Sequence, residues 1–178
     1  YWLARLIEGG EDPRFIARRI VIHAAEDVGL ADPSVLPLAV AAQQCVALIG
    51  LPEARIPLAE AALAVATAPK SNATYQAIDR AIELVRTTGS LPVPKHLADA
   101  HYQDAKKLYG NGVGYKYPHD YSHHVVAQTY FPDDLINHPD ATLFRLNPVD
   151  TGIGYENTIA KRLKAVREIT RLRSDVDT

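Results

Sequence analysis

Apolar residues in the stretch EDPRFIARRIVIHAAEDVGLADP, residues 11–33, recur with a period of 3.6. That period places Ile16, Ala17, Ile20, Val21, Ala24 and Val28 on one broad face and predicts a helix. Asp12 suits the N-cap and Pro13 the first helical position. Gly29 suits the left-handed residue after a helix end. Phe15 and Ile22 fall on the opposite side. A helix apolar on two sides is expected to be covered on both, so this stretch reads as a central helix. Arg19, His23 and Asp27 follow one edge of the main face at i, i+4 and i+8, where neighbours can touch. They read as a structural ion-pair and hydrogen-bond row, or as a catalytic His–Asp pair for which no nucleophile lies nearby in sequence.

The same reasoning extends along the chain. Residues 1–8 predict a helix closed by Gly9 and Gly10, with Trp2, Leu6 and Leu3 as its buried face. The amphipathic pattern is already under way at Tyr1, so a segment is expected before it. Asp32-Pro33 repeats the cap signal and opens a third helix that ends at Gly50. Pro52 opens a fourth, through about Thr67. LPLAVAA, residues 36–42, and IPLAEAA, residues 56–62, match at a spacing of 20 residues. One such pair is too few for a solenoid and reads instead as a helical hairpin with alanine-rich faces, fit for internal packing or for a subunit interface. Ser71 or Asn72 caps a fifth helix through about Thr87, whose face is Ala73, Ala77, Ile78, Ala81, Ile82 and Val85. Lys70-Ser71-Asn72 reads as plain capping or as an anion site at a helix N-terminus.

From Gly89 the periodicity fades and prolines, glycines and tyrosines accumulate. One short helix, residues 98–108, is expected. Residues 125–130 and 143–146 could pair as a small two-stranded element. A last helix starts near Tyr155 and runs past Leu172, with an apolar row of Ile159, Leu163, Val166, Ile169 and Leu172. The fold class is therefore all-α. A single domain is expected, with a helical bundle core in residues 1–88, an irregular segment in 89–154 and a C-terminal helix in 155–178.

Three stretches taken together resemble a known family: residues 11–33, then LPEARIPLAEAALAVATAPKSNATYQAID at 51–79, then GYKYPHDY at 114–121. They are similar to the C-terminal region of the RarA/MgsA family of AAA+ ATPases, relatives of clamp loaders and of the Werner-helicase-interacting ATPase. The similarity covers roughly residues 1–160. It implies the post-AAA+ oligomerisation fold of clamp-loader subunits and assembly as a tetramer. It further implies DNA as a ligand of the full-length protein, replication proteins such as single-stranded DNA-binding protein as partners, and a role in replication, recombination or repair at stalled forks in the cytoplasm, near the nucleoid. ATP and magnesium would belong to a domain outside this chain, because no stretch here reads G-x-x-x-x-G-K-[ST]. The glycine cluster at 110–114 follows a predicted helix and lacks that ending.

Composition narrows the chemistry. A net charge of −2 gives no global case for nucleic acid or an anionic membrane, so any such contact must be a local patch. The single Cys45 excludes an internal disulfide and a multi-cysteine zinc site and reads as a buried, inert thiol. No signal peptide and no membrane-length apolar run is visible, which suits a reducing, cytoplasmic setting. No cofactor or metal is expected in the chain. His119, His123 and His124 raise an alternative, a small self-contained helical enzyme with a His-rich, metal-binding loop. Pro118 and the nearby glycines argue against the helix that shared zinc ligands four apart would need. Six of the nine tyrosines lie between Tyr102 and Tyr130, among Lys106, Lys107 and Lys116. Such a loop either is pinned to the core by its rings, or holds phosphates with lysines and stacks bases on rings. The last helix carries Lys161, Arg162, Lys164, Arg167, Arg171 and Arg173 against the single acid Glu168. Lys164, Arg167 and Arg171 share one face, as either a solvated surface or a DNA-facing stripe.

Overall fold

The computed structural model describes residues 1–102, 104–139, 142–146 and 153–174, with the side chains of residues 172–174 left aside. Among the described residues the chain is all-helical, with short π and 3₁₀ turns and no strand. It divides into two compact units. One comprises Tyr1–Asp79 with Phe144–Ala160, the other Arg80–Leu143 with Lys161–Thr178.

In the first unit, α1 (Trp2–Glu8), α2 (Pro13–His23), α3 (Val35–Ile49) and α4 (Arg55–Thr67) pack around a small aliphatic core. Asp12 caps α2, its carboxylate accepting the Arg14 backbone N–H at 2.8 Å, as the sequence predicts. Ile16 and Ala17 of α2 meet Val46, Ala54 and Leu58. Ala24 and Val28 meet Val35 and Ala39, with Ala64, Val65 and Ala68 of α4 packed alongside. The alanines let the α3–α4 hairpin close tightly. α2 touches α1, α3 and α4, so it is central. It is not covered on both sides, however: Phe15 and Ile22 are exposed. In α1 the inward residues are Leu3 and Ile7, while Trp2 is 68% exposed. Leu6 is exposed too, which corrects the expected face.

α2 does not stop at Gly29 as a regular helix. It widens into a π-helix over Ala24–Val28 and then tightens into a 3₁₀ turn, Gly29–Ala31. Gly29 has φ +50°, and a Cβ there would lie 3.0 Å from the carbonyl oxygen of Ser71. The glycine thus lets the loop before α5 (Ala73–Thr88) approach, and the Asp27 carbonyl accepts the Ser71 backbone N–H at 2.7 Å. Ala73 and Leu84 of α5 are buried. Ile78, Ile82 and Val85, expected on its packed face, are exposed instead.

The second unit is mostly irregular. Of the helix expected over 98–108 only α6 (Ala105–Tyr109) forms among the described residues, directly after Asp104, which is left-handed at φ +64°; a separate 3₁₀ turn, Lys95–Leu97, precedes it. No strand pairing forms at 125–130 or 143–146. Specific hydrogen bonds hold the loop instead: Gly112 N–H to the Lys95 carbonyl at 2.8 Å, and Lys116 N–H to Gln128 Oε1 at 2.7 Å. Buried Ala105, Val126 and Leu135 form its apolar anchors. α7 (Glu156–Ser174) begins in the first unit and extends into the second. Ile159, Leu163, Val166 and Ile169 are half-buried along it. Leu172 and Arg173 have side chains outside the described residues.

Candidate assembly and nucleic-acid surfaces

α3 carries no charged residue in fifteen positions. Its inward residues Val35, Ala39, Ala42 and Val46 are buried. Its outward residues at intervals of four are Leu36, Val40, Gln44 and Leu48, all exposed. Leu48 is 86% exposed. Exposed Ile49, Leu51 and Ile56 continue the apolar surface around the turn into α4. A helix without a single charge is normally well buried, and exposed apolar residues along its outward face mark an interaction surface. Cys45 is half-buried within this helix.

Cations collect elsewhere. Lys161, Arg162, Lys164, Arg167 and Arg171 of α7 are exposed, and the half-buried apolar row takes the neighbouring face. Lys164, Arg167 and Arg171 therefore point outward together, as contact with phosphates requires. α7 also carries a second acid besides Glu168. Glu156, in its first turn, is fully buried, and its Oε1 accepts the Ser71 hydroxyl at 2.5 Å. Ser71 Oγ in turn accepts the Ala73 backbone N–H at the start of α5. The anion beside that helix start is thus the chain's own carboxylate, which the N-terminal dipole favours. The sequence reading missed Glu156. A lone acid ahead of a basic helix, after Gly154-Tyr155, was the available signal.

Most rings of the tyrosine-rich loop face solvent, while Tyr121 is half-buried. Tyr102, Tyr109, Tyr115, Tyr117 and Tyr130 are all exposed. Lys106 and Lys107 lie exposed on α6, and Lys116 is half-buried. A shallow groove of about 580 Å³ in this unit is lined by His96, Asp99, His101, Lys106 and Tyr115. His101 donates to Asp99 from both backbone and ring, and these bonds hold the Asp99 carboxyl below the usual carboxylate range. His119 and His124 pack ring against ring at 4.8 Å, and His119 stands 5.0 Å from the Tyr117 ring. Among the described residues no group of three His, Cys, Asp or Glu side chains is placed to hold a metal ion.

The polar row running from α2 into the π-helix is real in its geometry. His23 Nδ1 lies 2.6 Å from Asp27 Oδ2, and Arg19 Nη2 lies 3.3 Å from His23 Nε2. The His23 and Asp27 side chains are 46% and 48% exposed, so the row follows the surface. Among the described residues no helix is long and apolar enough to cross a membrane.

A family model described as MgsA AAA+ ATPase C terminal matches residues 1–167. An uncharacterized AAA domain-containing protein of Mycobacterium tuberculosis is 50% identical over 171 residues, covering 96% of this chain and 36% of that protein. The Replication-associated recombination protein A of Bacillus subtilis is 49% identical over 137 residues, 77% of this chain and 32% of its own length. Its namesake in Escherichia coli K12 is 39% identical over 136 residues, 76% of this chain and 30% of its own length. The chain spans about a third of the length of these relatives.

Proposed function

The chain belongs to the family of MgsA AAA+ ATPase C-terminal regions, and from that premise we propose that it is a non-catalytic assembly module that joins subunits and engages DNA in replication-associated recombination. In this reading ATP and magnesium are handled by another part of the full-length protein. The observation that carries the reading is the bare, charge-free face of α3. Leu36, Val40 and Leu48 point away from the core, and a second copy presenting the same helix would cover them. Symmetric self-association uses one patch twice, so a single apolar stripe suffices. A tetramer needs a second contact surface, and the exposed Ile78, Ile82 and Val85 of α5 supply apolar area for one.

DNA engagement is assigned to the outward cations of α7, Lys164, Arg167 and Arg171, with Lys106, Lys107 and Lys116 in the loop unit. Replication proteins such as single-stranded DNA-binding protein are partners of the assembled ATPase in this reading, which places it in the cytoplasm at the nucleoid. Light scattering tests the assembly. The wild-type chain should give a mass well above the 19.5 kDa of one copy. Val40→Glu/Leu48→Glu should lower that mass by removing the α3 contact, without loss of helical signal. A wild-type chain that is monomeric at micromolar concentration would sink the proposal.

A further inference from the structure

The rings of Tyr117, His119 and His124 form a continuous ladder, with centroid separations of 5.0 and 4.8 Å and interplanar angles of 47° and 51°. All three residues are exposed. Burial therefore does not explain why the rings are gathered. The backbone that gathers them is unusual. Pro118 starts a 3₁₀ turn, Pro118–Asp120, and the chain then reverses through His123 at φ +61° and His124 at φ +53°. Two consecutive non-glycine residues in the left-handed region are costly, and such strain persists chiefly where function requires it. Glycine would take both positions freely, and the same loop uses glycine at 110, 112 and 114. Imidazoles stand there instead, and the reversal brings the His124 ring back onto His119.

We propose that the Tyr117–His119–His124 ladder is a stacking site for an unpaired nucleobase of single-stranded nucleic acid. The proposal rests on the DNA-engaging reading above and adds to it the strand state that is recognised. Every base offers a π-face to an aromatic ring, so stacking is tolerant of sequence but needs an unpaired base. In a duplex those faces are already occupied by neighbouring base pairs. Exposed Lys106 and Lys107 in the same unit suit the accompanying phosphates.

The test is fluorescence anisotropy with labelled oligothymidylate of about 15 nucleotides, near the upper site size of single-strand binders, and with a duplex of equal length. His119→Ala/His124→Ala should weaken oligothymidylate binding by about tenfold or more and leave duplex binding unchanged. His119→Phe/His124→Phe keeps flat ring faces and should restore it. His123→Gly/His124→Gly relieves both left-handed positions, so it should melt no lower than wild type while still losing strand affinity. The proposal is overturned if the alanine variant binds oligothymidylate like wild type, if the phenylalanine variant is as weak as the alanine one, or if duplex binding falls equally. Displacement of the strand by thymidine monophosphate at matched nucleotide concentration would assign the ladder to free nucleotides and overturn it too. Charge reversal on α7 separates the two readings: if that variant binds normally while the ladder variant does not, the α7 stripe fails and the ladder stands.

Discussion

The Ser71 hydroxyl donates to the Glu156 carboxylate at 2.5 Å, joining residues 85 positions apart where α5 and α7 begin. Glu156 is fully buried, and its Oε2 has no hydrogen-bond partner among the described residues. Tyr155 adds a backbone bond to the Ala31 carbonyl at 2.8 Å. Gly154 makes that approach possible, since a Cβ there would lie 2.2 Å from the Ala31 oxygen.

Removing the donor should cost more than neutralising the acceptor. Ser71→Ala would leave a buried carboxylate with neither oxygen satisfied, at about 1–3 kcal/mol or more. Glu156→Gln keeps the shape and an acceptor for Ser71 while removing the buried charge, so it should cost less. Urea unfolding of both variants provides the comparison. Equal stability of Ser71→Ala and wild type would mean that the pair does not form.

The Arg19–His23–Asp27 row should contribute little. Had it been buried, deleting one partner would cost about 3–5 kcal/mol. Its near-half exposure puts it instead with surface pairs, worth about 0–1 kcal/mol. Asp27→Ala should therefore shift the melting temperature only slightly. A large drop would show that the row is shielded from solvent, for instance inside the assembled protein, and a matched measurement at high dilution would locate the shielding.

Asp32 gives stability a pH dependence of defined sign. Its carboxylate accepts the Ser34 hydroxyl at 2.6 Å and the Ser34 backbone N–H at 3.0 Å, and these bonds lower its pKa. The unfolded chain therefore binds more protons at this site, so stability rises with pH through the window. The contribution is complete above the unfolded carboxylate value, about 3.9, and is lost as pH falls through the lower folded value. Thermal melts should show Asp32→Ala below wild type at pH 7, with the gap narrowing under about pH 4. A gap independent of pH would remove the charged interaction from the explanation.

The α7 stripe should reveal itself through salt. Three phosphate contacts imply a log–log slope of about −2 to −3 for affinity against salt. Lys164→Glu/Arg167→Glu/Arg171→Glu in the assembled protein should flatten that slope and weaken binding to every sequence alike. An intact fold with unchanged slope and affinity would make the stripe a solvated face.

Much of the helical framework is legible in the chain. Asp12-Pro13, Gly50 and Ser71 are local signals, and local capping physics acts whatever surrounds it, so α2, α3 and α5 begin or end close to where those residues stand. Periodicity likewise picks out Ile16, Ala17, Ala24 and Val28 as core. It cannot tell which of two apolar faces finds a partner. Phe15, Ile22, Ile78 and Leu48 are as apolar as their buried neighbours, and only packing decides that they remain bare. The loop unit escaped for a related reason. Its order rests on hydrogen bonds between residues distant in sequence, such as Lys116 with Gln128 and His96 with Thr129, which leave no period to detect. Glu156 belongs to that class, whereas the rings of Tyr117, His119 and His124 are close in sequence and are gathered by left-handed residues that leave no period either. The sequence determined the elements and their caps through local forces. Long-range packing alone buries the Glu156 carboxyl against Ser71, and the left-handed backbone of His123 and His124, which no periodicity records, holds three rings together in solvent.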